Sequence, residues 1–286
     1  LCNVPEMVFG CMPNDGGYLL LNEDEKNYIA EKESDMLPFV KRFVGSEEFI
    51  NNTTRYCFWF KGSTPRQLRK NSLVTQRLCM VKAHRESSAR EATQKRSDFP
   101  TLFGEIRQST TDYLLIPRVS SEKRPYIPLG FMAEEVIAGD TCLVIPNATL
   151  YEFGVMTSSV HMAWTRYVCG RLKSDYRYSA SIVYNNFPWP NPSSKQKQAL
   201  EMAAQVVLDT RALFPDSSLA DLYDPLTMPP ELAKAHQKLD KAVETAYGRT
   251  FANDAQRVAY LFELYQKLNA ELFVDTKRRG KGRNLL

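Results

Sequence analysis

The chain has 286 residues, a formal net charge of +4, and 43% hydrophobic and 11% aromatic residues. That length permits one large domain or two ordinary ones, and the composition excludes a disordered or collagen-like chain. The modest positive charge allows a nucleic-acid partner without requiring one.

The cysteines Cys2, Cys11, Cys57, Cys79, Cys142 and Cys169 are scattered, with no Cys-x-x-Cys pair. This argues against a zinc site and for reduced thiols in a cytoplasmic setting. His84, His161 and His236 are far apart, which gives a metal cluster little support. No apolar run reaches the roughly 18 residues that span a bilayer, and no secretory signal opens the chain. The sequence starts at Leu1 and mid-pattern, and reads as a piece of a longer protein.

In chain order, Asn14-Asp15-Gly16-Gly17 is turn chemistry, because glycine supplies positive φ, and a short strand should follow at Tyr18–Leu21. A phosphate loop would need a longer spacing and a following helix with Lys and Ser or Thr, so the doubled glycine is not read as one. Asn22 predicts an N-cap for an acidic helix over Glu23–Lys32. Tyr56–Phe60 is aromatic enough for a strand buried on both faces. Thr64-Pro65 opens a long helix, expected to run to about Lys95, with an apolar first half (Leu68, Val74, Leu78, Val81) and a basic second half. The basic half reads equally as a solvated helix end or a surface near phosphates.

A β-rich stretch follows, with strands at Tyr113–Pro117, Leu129–Phe131, Val136–Ala138 and Cys142–Pro146. Between the first two lies a loop that gathers Arg118, Ser120, Ser121, Lys123 and Arg124. Cations, hydroxyls and loop amides are the groups that hold phosphate oxygens. Leu150–Cys169 reads as one helix ended by Gly170, with His161 as a packed rather than catalytic side chain. After Asn191-Pro192 the pattern turns helical almost without break: Ser194–Leu213, Pro230–Tyr247 and Asp254–Val274. The basic tail Lys277–Arg283 reads as disordered and able to touch a polyanion.

The stretch Cys169–Tyr178 places Lys173, Asp175 and Arg177 at spacing two. If extended, it projects all three from one face. Lys or Arg suits guanine O6 and N7, and Asp can accept from cytosine N4. The spacing alone weighs toward an ordinary solvated edge face. Catalytic signatures are missing: no Gly-x-Ser-x-Gly and no His-Glu-x-x-His. Asn185-Asn186-Phe187-Pro188-Trp189 only superficially resembles the Asn-Pro-Pro-aromatic tetrapeptide of amino-methyltransferases. Its prolines follow the aromatic ring, and no glycine-rich cofactor strand precedes it, so it reads as a structural terminator.

An ordered set of long motifs does carry a resemblance: Met7–Gly17, Phe43–Ile50, Pro100–Gln108, Leu115–Glu122, Cys169–Ser174, Tyr184–Pro190 and Leu222–Pro229. Together they resemble the C-terminal part of MmeI-like DNA methyltransferases, a type IIG/IIL restriction-modification family. The resemblance implies an α+β chain. A mixed target recognition domain over 1–190, with a twisted, mostly antiparallel sheet and a long helix, would be followed by an all-helical C-terminal domain over 191–286. It implies sequence-specific recognition of double-stranded DNA by a part that is not itself catalytic. A methyltransferase domain of the same polypeptide would bind S-adenosylmethionine and modify adenine N6, so no cofactor is expected in this stretch. Base reading would fall to Lys173 and Asp175 as a pair on one G·C pair, Arg177 beside them, and a partner at Thr141 or Cys142. Backbone contacts would fall to Arg118, Ser120, Ser121, Lys123, Arg124 and Arg107. With the resemblance in hand, the comb weighs toward DNA reading. A protein-interaction module built on the helices, or a stand-alone nuclease, are the alternatives. No membrane association is expected, and the oligomeric state is left open.

Overall fold

A computed structural model of the chain describes residues 2–281, with side chains through residue 270. The strands in chain order are β1 Val8–Phe9, β2 Leu20–Leu21, β3 Val40–Val44, β4 Tyr56–Phe58, β5 Tyr113–Pro117 and β6 Val119–Ser120. They continue with β7 Gly130–Met132, β8 Ile137–Ala138, β9 Cys142–Pro146, β10 Gly170–Leu172 and β11 Asp175–Arg177. The helices are α1 Glu23–Lys32, α2 Ser46–Asn51, α3 Pro65–Leu68, α4 Ser72–Glu86, α5 Glu91–Gln94 and α6 Leu150–Met156. After them come α7 Ser159–Val168, α8 Ser194–Ala212, α9 Leu219–Leu222, α10 Pro230–Ala246 and α11 Asp254–Lys281.

These elements form two compact units, and neither is contiguous in sequence. A sheet unit comprises Val8–Pro117 and Gly130–Asn147; a helical unit comprises the chain through Met7, Arg118–Leu129 and the chain from Ala148 on. Helices α6 and α7, which precede residue 190, share the helical unit with the helices that follow it.

The sheet unit holds two four-stranded sheets. One has the order β1-β9-β5-β7 and is antiparallel throughout; the other, β2-β4-β3-β8, is antiparallel except for the parallel β3–β8 pair. Every residue of β5 is buried, as a central strand of apolar side chains must be. The core gathers Leu19, Ile29, Phe43, Phe58, Phe60, Val74, Val81 and Phe103. Helix α1 begins where its cap predicts: Asn22 Oδ1 accepts the Glu25 amide at 2.8 Å, and Glu25 Oε2 accepts the Asn22 amide at 2.9 Å.

The long helix expected from Pro65 is broken into α3, α4 and α5. The break has a local cause. Asn71 takes non-helical φ and ψ and caps a new helix through Oδ1 on the Val74 amide at 3.0 Å. Near the end of α4, Arg85 is wholly buried and donates to five backbone carbonyls: Asn14 at 2.8 Å, Arg96 at 3.0 Å, Phe99 at 2.9 Å, Pro13 at 2.9 Å and Leu102 at 2.7 Å. One basic residue of the expected solvated half is thus a structural centre that ties the Pro13-Asn14 turn to the 96–102 connection.

In the helical unit, α8 packs against α10 and α6, and α11 against α7. The approach of α6 is close enough that a Cβ on Gly154 would sit 2.6 Å from Leu200 Cδ2. The helix expected over Leu150–Cys169 is divided at Thr157-Ser158, where Ser158 caps α7 on the His161 amide at 3.3 Å. The Phe187-Pro188-Trp189-Pro190 stretch is a terminator held from both sides. Tyr247 donates to Pro188 O at 2.8 Å and Tyr151 to Pro190 O at 2.9 Å, while Phe187 packs edge-on against His161. Side chains of the basic tail Lys277–Arg283 lie outside the described residues.

Candidate nucleic-acid interface

The third sheet lies wholly in the helical unit, in the order β10-β11-β6. Leu172 pairs with Asp175, Arg171 with Tyr176 and Gly170 with Arg177, so β10 and β11 form a hairpin with a two-residue turn at Lys173-Ser174. This corrects the single extended comb. Asp175 and Arg177 do share one face of β11, but Lys173 sits at the tip, where period two no longer applies. Because directly paired residues face the same way, Leu172, Asp175 and Arg177 lie on one face, and Arg171 and Tyr176 on the other.

The alternation along β11 anchors that arrangement. Tyr176 and Tyr178 are buried, whereas Arg177 is exposed and Asp175 half-buried. The Tyr178 hydroxyl lies 2.8 Å from His161 Nε2, and the Tyr178 amide donates to Arg118 O at 2.7 Å. Burial pushes the His161 imidazole down to about 3, so the ring is neutral and structural.

Lys173 has φ 57°. Among the described residues, the other non-glycine positions with positive φ are Asn14, Asn52 and Asn147. Asparagine tolerates this region through its short polar side chain; a lysine there costs about 1 kcal/mol. A long cation is thus held at an exposed tip in a backbone state that favours glycine or asparagine.

The 118–124 loop lies beside the hairpin through the β6–β11 pairing of Ser120 with Tyr176 and Val119 with Arg177. Lys123 is exposed and Ser121 half-buried. Ser120, in contrast, is buried, and its hydroxyl accepts from Arg124 Nη1 at 3.4 Å, so it is turned inward rather than toward a phosphate. The Arg124 guanidinium is itself partly buried, and that burial lowers its pKa against the opposing pull of Asp175 and Asp224 nearby. The Arg118 carbonyl is engaged by Tyr178, and its side chain is half-buried. The Glu122 amide approaches Asp175 Oδ1 at 3.4 Å, and the Glu122 carboxylate lies 3.7 Å from Arg171. Arg171 stands at the same spacing of two as Lys173, Asp175 and Arg177, so nothing in the sequence separates its role from theirs, and neither spacing nor residue type marks Glu122.

Thr141, Cys142 and Arg107 belong to the sheet unit. Thr141 is exposed, and its Oγ1 accepts the Ser46 amide at 2.9 Å. Cys142 is fully buried with its thiol 3.6 Å from Ser46 Oγ, and burial pushes that thiol up to about 12. Thr141 is therefore open to solvent, and the Cys142 side chain is not. Arg107 pairs with Glu105 and lies over the Phe9 ring at 5.6 Å. No cluster of three or more His, Cys, Asp or Glu side chains suited to a metal occurs among the described residues. No helix among them is long and apolar enough to cross a membrane.

Comparison with known proteins gives this geometry its setting. The family model for the MmeI target recognition domain matches residues 1–191, and that for the MmeI C-terminal domain matches residues 192–273. DNA methyltransferase A of Bacillus subtilis (strain 168) is 40% identical over 269 residues, which are 94% of this chain and 30% of that protein. A solved structure of the type IIL restriction-modification enzyme MmeI in complex with DNA is 45% identical, with a TM-score of 0.92, over 94% of this chain and 36% of that one. The chain spans about a third of the length of these relatives. It belongs to the MmeI target recognition domain family, with the MmeI C-terminal domain following in the same chain.

Proposed function

We propose that this chain reads the target sequence in double-stranded DNA for an S-adenosylmethionine-dependent adenine-N6 methyltransferase of the restriction-modification class, acting in the cytoplasm. The observation that carries the reading is Lys173, a long cation at φ 57° on an exposed hairpin tip, with Asp175 and Arg177 on the adjoining strand. A two-stranded ribbon fits the major groove, where each base pair shows a distinct donor and acceptor pattern. Lys173 supplies a donor for guanine O6 or N7, and Asp175 an acceptor for the paired cytosine N4, so the two specify one G·C pair. Arg177 reads a neighbouring pair. Thr141 is the candidate for a further contact from the sheet unit. Lys123, Ser121, Arg118, Arg124 and Arg107 supply affinity for the phosphate backbone.

Chemistry falls to the methyltransferase part of the same polypeptide, which would hold the methyl donor. The Gly16-Gly17 turn does not fit as a cradle for it, because the Asp15 carboxylate already accepts the Gly17 amide at 3.0 Å and also the Leu19 amide.

Selection of duplexes from a randomised library, with affinity measured against salt, tests the reading. The chain should enrich a defined sequence. Neutralising Lys123 and Arg118 should weaken all sequences alike and reduce the salt slope by about 0.9 for each phosphate that is no longer neutralised. Binding that is indifferent to sequence, whatever its salt dependence, would overturn it.

A further inference from the structure

Arg171 falls inside the segment expected to read bases, yet its guanidinium is turned back into the ribbon. It stacks over the Tyr176 ring at 4.1 Å. Nη1 donates to Ser174 O at 2.9 Å, and Nη2 to Arg166 O at 3.4 Å, at the end of α7. The Glu122 carboxylate sits 3.7 Å from Nη1. One planar cation thus touches the hairpin turn, the strand opposite, the preceding helix and the 118–124 loop.

The turn needs such a restraint. A lysine at φ 57° persists only where the surroundings over-determine its backbone, and the Arg171–Ser174 bond clamps the residue directly after it. The Glu122 contact then fixes the hairpin to the loop that carries Lys123. Two of its nitrogens already donate to carbonyls of the turn and of α7, and a carboxylate faces one of them, so the guanidinium is directed into the ribbon.

We propose that Arg171, with Glu122 as its counter-ion, is a positioning residue: it holds the β10–β11 tip so that Lys173 and Asp175 meet base edges in a single register. The proposal rests on the DNA-reading function above. It adds that selectivity resides partly in two side chains that touch no base.

The competing role, a plain phosphate contact, makes different predictions. Lysine keeps the charge of arginine but cannot stack flat while donating in two fixed directions. Arg171→Lys should therefore preserve overall affinity and salt slope yet flatten the preference at the base pair read by Lys173 and Asp175, by about fivefold or more. Arg171→Ala should flatten the same preference and also weaken binding. Glu122→Gln removes a negative charge from the interface. Electrostatics alone would tighten binding with preference unchanged, whereas positioning requires the preference at that one base pair to fall. The experiment is library selection by the full 286-residue chain and the three variants, with thermal melts run alongside. Full preference in Arg171→Lys, or an equal loss across all sequences in Arg171→Ala with Glu122→Gln unchanged in preference, overturns the proposal and leaves the DNA-reading function standing. A library from which the unmodified chain enriches nothing overturns that function, and this proposal with it.

Discussion

Replacing Arg85 by methionine removes a guanidinium that is 0% exposed and satisfies five backbone carbonyls at 2.7 to 3.0 Å. The hydrocarbon volume is nearly retained, and the Pro13, Arg96 and Phe99 carbonyls keep the amides of Gly104, Phe99 and Leu102, so the cost is chiefly that of the Asn14 and Leu102 carbonyls, which lose their donor. Each dry carbonyl without a donor costs about 1–3 kcal/mol. Loss of the charge returns some desolvation energy, which the lowered Arg85 pKa registers. The balance is a loss of about 2–4 kcal/mol, a large part of the 5–15 kcal/mol typical of a folded domain. Arg85→Lys keeps the charge but gathers its donors on one nitrogen and reaches fewer carbonyls, so its loss should be about 1–2 kcal/mol. Urea unfolding followed by circular dichroism, with amide exchange in α4, reads both. A shift below about 1 kcal/mol for Arg85→Met would refute the idea that this cage holds the Pro13-Asn14 turn and the 96–102 connection together.

Stability should fall on acidification. His161 is pushed down to about 3 by burial, and His236 well below its ordinary value by burial and by the Arg211 charge. The unfolded chain binds protons near pH 6.5 that the folded histidines refuse, so stability is complete above that pH and is lost as pH falls toward the folded values. Between about pH 6.5 and about pH 5, His161 alone should account for about 2 kcal/mol; equal urea midpoints at the two pH values would contradict this. Asp240, whose carboxyl is raised by burial, works in the opposite sense and only toward the carboxylate range. Lys173→Gly should raise the melting temperature, by relief of about 0.5–1 kcal/mol of left-handed backbone cost, while base preference at that position disappears. A lower melting temperature would show that the tip is not strained.

Much of the fold is legible in the sequence where local chemistry decides it. The Asn22 cap of α1, the buried strand β5 and the start of α8 at Ser194 follow from side-chain type and periodicity. The breaks at Asn71 and Thr157-Ser158 are hidden because the apolar pattern continues across both, and the capping residues compete with it only once tertiary packing fixes the angle. The interleaving of two units is equally silent, since chain order says nothing about which helices share a core. At the candidate site, the cluster of Lys173, Asp175 and Arg177 is visible as charge at spacing two, but its hairpin is not. Lys173-Ser174 lacks the glycine or asparagine that normally marks a two-residue turn. Ser120 and Cys142 look available from sequence because hydroxyls and thiols belong on both surfaces and cores; burial removes them. The inward role of Arg171, and Glu122 as its counter-ion, become visible only through their contacts.

The most direct measurement exchanges the two readers, as Lys173→Asp with Asp175→Lys, and determines the base pair selected. Exchanging donor and acceptor should invert the preferred pair from G·C to C·G at one position and leave every other position of the selected site unchanged. An unaltered preference at all positions would contradict base reading by this pair.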